Sequence, residues 1–199
     1  MFLLGHIGIS LGIIIGLVWL IAHSKKSEKG AVSSMNIDFR IVIIAAMLPD
    51  IIDKIVGLVI LKDELSNGRI FTHSILVVGT ISLYIVGIGR VRTGHIVRHI
   101  IHAAPAWLHL LLDRMWEQPE TLLWPLFGTR FPRIDIEIAD YFSILLSDMY
   151  TLSGEIVGGI LIIILITRHR LYNFKNLRDF IKSGRLAAVQ NTNKLPREQ

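Results

Sequence analysis

The chain has 199 residues, 52% apolar side chains, a positive mean hydropathy and a net charge of +5. That is the length of one domain and a composition too apolar for a water-soluble globule, so an integral membrane protein is expected, in which surplus Lys and Arg report orientation rather than nucleic-acid binding. With no cysteine in the sequence, disulfides, thiolate metal sites and cysteine nucleophiles are excluded, and any metal must be held by His, Asp or Glu.

The first apolar run, LLGHIGISLGIIIGLVWLIA at 3–22, makes about 30 Å of helix, enough to cross the hydrocarbon core. Lys25, Lys26 and Lys29 follow this run, whereas a signal peptide carries its charge in front, so the segment is read as a retained span. Further apolar stretches run from Ile37 to Leu61, Ile70 to Gly89, His95 to Asp113 and Glu155 to Thr167. The pattern predicts an all-α, polytopic membrane protein of about five transmembrane helices. Residues 1–167 form the membrane-embedded domain. Within it, 114–149, with Trp116, Trp124, Phe127, Phe131, Tyr141 and Phe142, is an extracytoplasmic or interfacial segment. Residues 168–199 form a basic cytoplasmic tail, either an amphipathic helix on anionic lipid or a solvated extension.

Lys25, Lys26, Lys29 and Arg40, then Arg90, Arg92 and Arg98, then the Lys and Arg from Arg168 onward hold most of the chain's 21 basic residues. Placing all three groups in the cytoplasm puts the N-terminus outside and the tail inside. His6, Asp50, Asp53, His73, His109 and Asp113 then fall on the outer face. An Asp in hydrocarbon costs roughly 2.5 to 3.5 kcal/mol on insertion scales, so such residues face a cavity or a partner. Asp50 and Asp53 are spaced i, i+3 and His109 and Asp113 i, i+4, so each pair shares a helix face. Pro49 interrupts the hydrogen-bond ladder beside Asp50. Imidazoles and carboxylates without sulfur suit zinc first, or manganese or iron, as one or two ions near the outer interface. Buried His–Asp hydrogen bonds that only hold helices together would use the same residues.

The blocks GHIG at 5–8, LPDIIDK at 48–54, GRIFTHS at 68–74 and HLLLDRMWEQPETLLWPLFG at 109–128 resemble, in order, the membrane-bound metal-dependent hydrolase family, also described as YdjM-like. Gly68 stands where many members carry a histidine before the arginine, and the two aspartates are one residue further apart than in many members. The ligand order is also similar to that of zinc-dependent phospholipase C. The resemblance implies a hydrolase in a prokaryotic plasma membrane, with His6, Asp50, Asp53, His73, His109 and Asp113 as metal ligands. It implies a phosphoester of a lipid or lipid-linked substrate, with Asp50 or Asp53 as proton acceptor and Arg69 on the phosphate. Two other readings stay open. His95, His99, His102, His109 and Asp113 lie on one stripe of the fourth helix and could carry protons or metal ions. The basic tail could serve a non-catalytic interaction protein.

Overall fold

The computed structural model describes residues 1–24, 36–133, 143 and 147–186. Lys25, Lys26, Lys29, Asp135, Glu137, Asp140, Tyr141, Phe142 and the tail beyond residue 186 lie outside the described residues. All regular structure among the described residues is helical: α1 (Leu3–Ser24), α2 (Phe39–Ile55), α3 (Ile75–Thr93), α4 (Ile96–Leu112), the short α5 (Pro119–Leu122), α6 (Met149–Arg168) and α7 (Phe174–Ser183). Leu3–Ile21, Ile75–Thr93 and Met149–Arg168 are long and apolar enough to cross a membrane. The apolar α4 is shorter, and α2 carries Asp50, Asp53 and Lys54 in its second half.

α4 is central, packing on α1, α2 and α3, while α6 packs along α1. The helices alternate in direction. The start of α1, the end of α2, the start of α3, the end of α4 and the start of α6 meet at one end of the bundle, through contacts such as Tyr150 Oη donating to Leu112 O at 2.9 Å. At the other end lie Arg40, Arg90, Arg92, Arg98 and α7.

The predicted third helix begins five residues late, at Ile75 rather than Ile70. Residues 70–74 instead form a tight turn, because backbone N–H groups there are claimed by Asp53 rather than by a helical ladder. Ser74 then caps α3, accepting from Val77 N at 3.2 Å, the local role that a serine before an apolar run favours. α2 ends in a wider turn, Val56–Ile60. A Cβ on Gly57 there would fall 1.9 Å from Asn67 O, so only glycine lets the returning loop pack this close.

Polarity is distributed inside out. His6, Asp53, His73 and His109 are completely buried, while Leu83, Val59 and Ile163 are 76%, 73% and 62% exposed. A water-soluble fold does the reverse, and an apolar exterior of this extent is a lipid-facing surface. Between α1 and α6 the packing is of backbone on backbone. A Cβ on Gly8 would lie 2.1 Å from Gly158 O, and one on Gly158 would lie 2.1 Å from Leu4 O. Small residues allow such helix contact where lipid is as apolar as the side chains. Gly158→Val is therefore expected to separate α1 from α6 and to lower the melting temperature in detergent more than Gly16→Val, at a glycine with open space around it; equal melting temperatures would contradict this packing.

α7 closes the far end. Asp38 caps α2 by accepting from Arg40 N at 3.0 Å, and the hydrogen bond from the Arg40 guanidinium holds the Asp38 carboxyl below the usual carboxylate range.

Candidate metal centre

Four elements position the six site residues. Asp50 and Asp53 leave one face of α2 at i, i+3, His73 ends the turn before α3, His109 and Asp113 sit at the end of α4, and His6 lies in the second turn of α1. All six sequence-selected residues are buried in one cluster. Asp50, His73, His109 and Asp113 each offer one donor atom within 4.8 Å of the others, a group that could hold a metal ion.

The two histidines are oriented from behind. His73 Nδ1 lies 2.7 Å from Asp53 Oδ2 and His109 Nδ1 lies 2.7 Å from Ala46 O. A carbonyl only accepts, and the Asp53 carboxylate already accepts from Ile70 N at 2.7 Å, Thr72 N at 3.0 Å and His73 N at 3.2 Å. Both Nδ1 atoms must therefore carry hydrogen, so in the neutral imidazoles both Nε2 atoms are acceptors. The two Nε2 atoms face each other at 3.1 Å. Two acceptors that close repel unless a cation lies between them. Two imidazoles on one tetrahedral ion, at 2.0 to 2.1 Å each, would stand about 3.3 Å apart, so the donor set fits a divalent metal.

The carboxylates complete the group. Asp50 Oδ1 is 3.6 Å from His73 Nε2 and 3.9 Å from His109 Nε2, and Asp113 Oδ2 is 3.7 Å from His73 Nε2. Each has a cationic neighbour. Lys54 Nζ is 2.8 Å from Asp50 Oδ2, and Arg69 Nε is 2.9 Å from Asp113 Oδ2. Arg69 is about one-third exposed, and its terminal nitrogens have no partner among the described residues.

Asp53 and His6 stand outside the group of four. The Asp53 oxygens are occupied by backbone N–H groups and the His73 ring, so it pins the turn and aims His73. His6 stacks on His109, with ring centroids 3.9 Å apart and planes at 19°. Its Nε2 is 3.0 Å from Asp113 Oδ1 but out of line for a hydrogen bond, and its Nδ1 has no partner among the described residues. The N-terminal amine of Met1 also contacts Asp113 Oδ1, at 2.6 Å.

Sequence reasoning passed over several contributors. Lys54 was visible as an i, i+4 partner of Asp50. Thr72, which donates from Oγ1 to Pro49 O at 2.8 Å, and the Ala46 carbonyl gave no signal. Glu155 was read only as the start of the fifth span. It accepts from Phe2 N, Leu4 N and Gly5 N at 2.9 to 3.0 Å, capping α1 from a neighbouring helix and fixing the turn that carries His6. The aromatic segment divides. Trp124 and Phe131 pack edge-on against Phe71 at 5.3 and 4.9 Å, over the turn that holds His73, whereas Trp116 and Phe127 are exposed. Of the histidine stripe, His102 is buried and its Nε2 accepts from Asp38 N at 3.1 Å, while His95 lies exposed at the end of the bundle away from the metal group.

An all-helical membrane protein with a buried cluster of histidines and carboxylates is the class that this fold and site define. A family model described as YdjM inner membrane protein matches residues 1–177, and the chain belongs to that family. Neither a curated protein nor a solved structure matches it.

Proposed function

We propose that this protein is an integral-membrane, metal-dependent hydrolase that cleaves a phosphoester of a lipid or lipid-linked substrate. The observation that carries this reading is the approach of His73 Nε2 and His109 Nε2 to 3.1 Å, with the rings oriented by Asp53 and Ala46 and flanked by Asp50 and Asp113. α2 and α4 complete five spans. The basic end of the bundle faces the cytoplasm, and the metal group faces the outer interface.

His73, His109, Asp50 and Asp113 would hold the ion, zinc by preference, with manganese or iron also suited to the nitrogen and oxygen donors. A divalent ion there would supply Lewis acidity and make water a nucleophile near neutral pH. Asp50, whose Oδ1 faces the group while Oδ2 is held by Lys54, is placed to accept a proton from a nucleophile. Asp53 is a positioning residue, because its oxygens are already occupied. Arg69 presents its free nitrogens on the exposed side, where a phosphate can pair with them. Beside the Pro49–Thr72 hydrogen bond, an apolar groove lined by Leu48, Ile52, Val77, Ile81, Ala103 and Ala106 runs between α2, α3 and α4. This groove supports a substrate with a hydrocarbon chain.

Protein reconstituted with zinc or manganese should release phosphate or headgroup from phospholipids or lipid phosphates. Arg69→Gln should lower kcat/KM by roughly 10- to 100-fold, the loss of one or two charge-assisted hydrogen bonds. Metal-loaded protein inert toward the whole panel would sink the reading.

A further inference from the structure

α7 is docked rather than loose. Arg40 Nη1 donates to Ile181 O at 2.8 Å and to Lys182 O at 3.0 Å, so its charge caps the carbonyl end of the helix. Phe39 N donates to Gly184 O at 2.8 Å. Leu186 is buried in the apolar cluster of Leu11, Ile14, Phe39, Val42 and Ile101, with Phe180 packed against it. These contacts fix how the helix is rotated.

At 3.6 residues per turn, the fixed rotation sorts the remaining side chains into sectors. Phe180 faces the protein. Leu177, Ile181 and Phe174 occupy the next arc of about 60° and are 39%, 59% and 78% exposed. Beside them Arg178, Lys182 and Lys175 form a single basic flank, followed by Asp179, Ser183 and Asn176. No ion pair engages the three cations among the described residues. The exposed apolar arc continues the apolar outside of α6, where Ile160, Ile163 and Ile164 are exposed, through Tyr172 at 71%. A helix that follows a membrane-length span after five residues, with an apolar arc outward and a row of cations beside it that no ion pair engages among the described residues, matches the boundary between acyl chains and anionic headgroups.

We infer that α7 is a built-in anionic-lipid contact: Phe174, Leu177 and Ile181 enter the acyl region of the leaflet opposite the metal group, and Lys175, Arg178 and Lys182 bind acidic phospholipid headgroups. The apolar arc favours a bilayer over a soluble acidic partner, which would leave those side chains in water.

The sequence has no cysteine, so one introduced thiol labels cleanly. Full-length Leu177→Cys carrying an environment-sensitive fluorophore is placed in nanodiscs of phosphatidylcholine, alone or mixed with phosphatidylglycerol. Emission should shift to the blue with phosphatidylglycerol and return toward the water value on raising the salt, which screens headgroup attraction. The charge reversal Lys175→Glu with Arg178→Glu and Lys182→Glu should also abolish the shift, while a label at Asp179→Cys stays water-like throughout. Salt supplies the same readout should the triple variant fail to fold. A water-like label at residue 177 in phosphatidylglycerol would overturn the inference and leave the surface to a soluble partner. Immersion indifferent to lipid charge, salt and charge reversal would overturn it too.

Discussion

Purified protein is expected to carry one or two equivalents of a divalent metal, and His109→Ala with Asp113→Ala is expected to abolish that content. The double substitution removes two of the four donors. It also removes the partner of Arg69 Nε and the ring on which His6 stacks, so the remaining His73 and Asp50 are left without the geometry that brought them together. Changing only the groups behind metal ligands commonly costs 10- to 100-fold in affinity, so loss of two ligands should exceed about 100-fold. Elemental mass spectrometry checks this directly, with His95→Ala, at the far end of the bundle, keeping the wild-type content. Well-folded wild type that binds no metal after supplementation would leave a proton as the cation between the two Nε2 atoms. Proton transport would then become the better reading.

Asp53→Ala is the second large effect. It strips the acceptor from three buried backbone donors, Ile70 N, Thr72 N and His73 N, and from the His73 ring. Each buried donor left unpaired costs about 1 to 3 kcal/mol, so a destabilisation of about 3 to 5 kcal/mol is expected. The turn at 70–74 would loosen and His73 would lose its tautomer. Metal affinity should fall together with the melting temperature. The conservative Asp53→Asn separates positioning from proton transfer: a positioning residue lowers metal affinity roughly 10- to 100-fold, whereas a catalytic base abolishes turnover with affinity intact.

The membrane class, the helical bundle and the six polar residues were legible because each violates the background of an apolar chain. Spacing paired Asp50 with Asp53 and His109 with Asp113, since helix periodicity is local. It could not say what distinguishes Asp50 from Asp53, because that depends on where the loop before His73 returns, a contact made across 17 to 20 residues. For the same reason Ile70 was placed in a helix: its apolar neighbours fit one, and only Asp53 diverts its N–H. Glu155 capping Gly5 spans 150 residues, beyond any pattern in the chain. The four-residue spacing of Gly154 and Gly158, by contrast, is a local helix-contact signal that sequence reasoning passed over.

The inside-out distribution of polarity carries a consequence for how such a chain can change. In most water-soluble proteins an oily interior holds the fold and the polar groups lie upon it, so one can be lost and the other kept. Here lipid outside is as apolar as the packing within, so cohesion falls to close helix contact such as that of Gly8 on Gly158 and to the buried ion pairs and hydrogen bonds of the polar cluster. Removing the polar cluster would also loosen the bundle. A descendant could exchange its lipid-facing residues for almost any apolar set, but it could not keep this architecture while discarding the polar knot at its end.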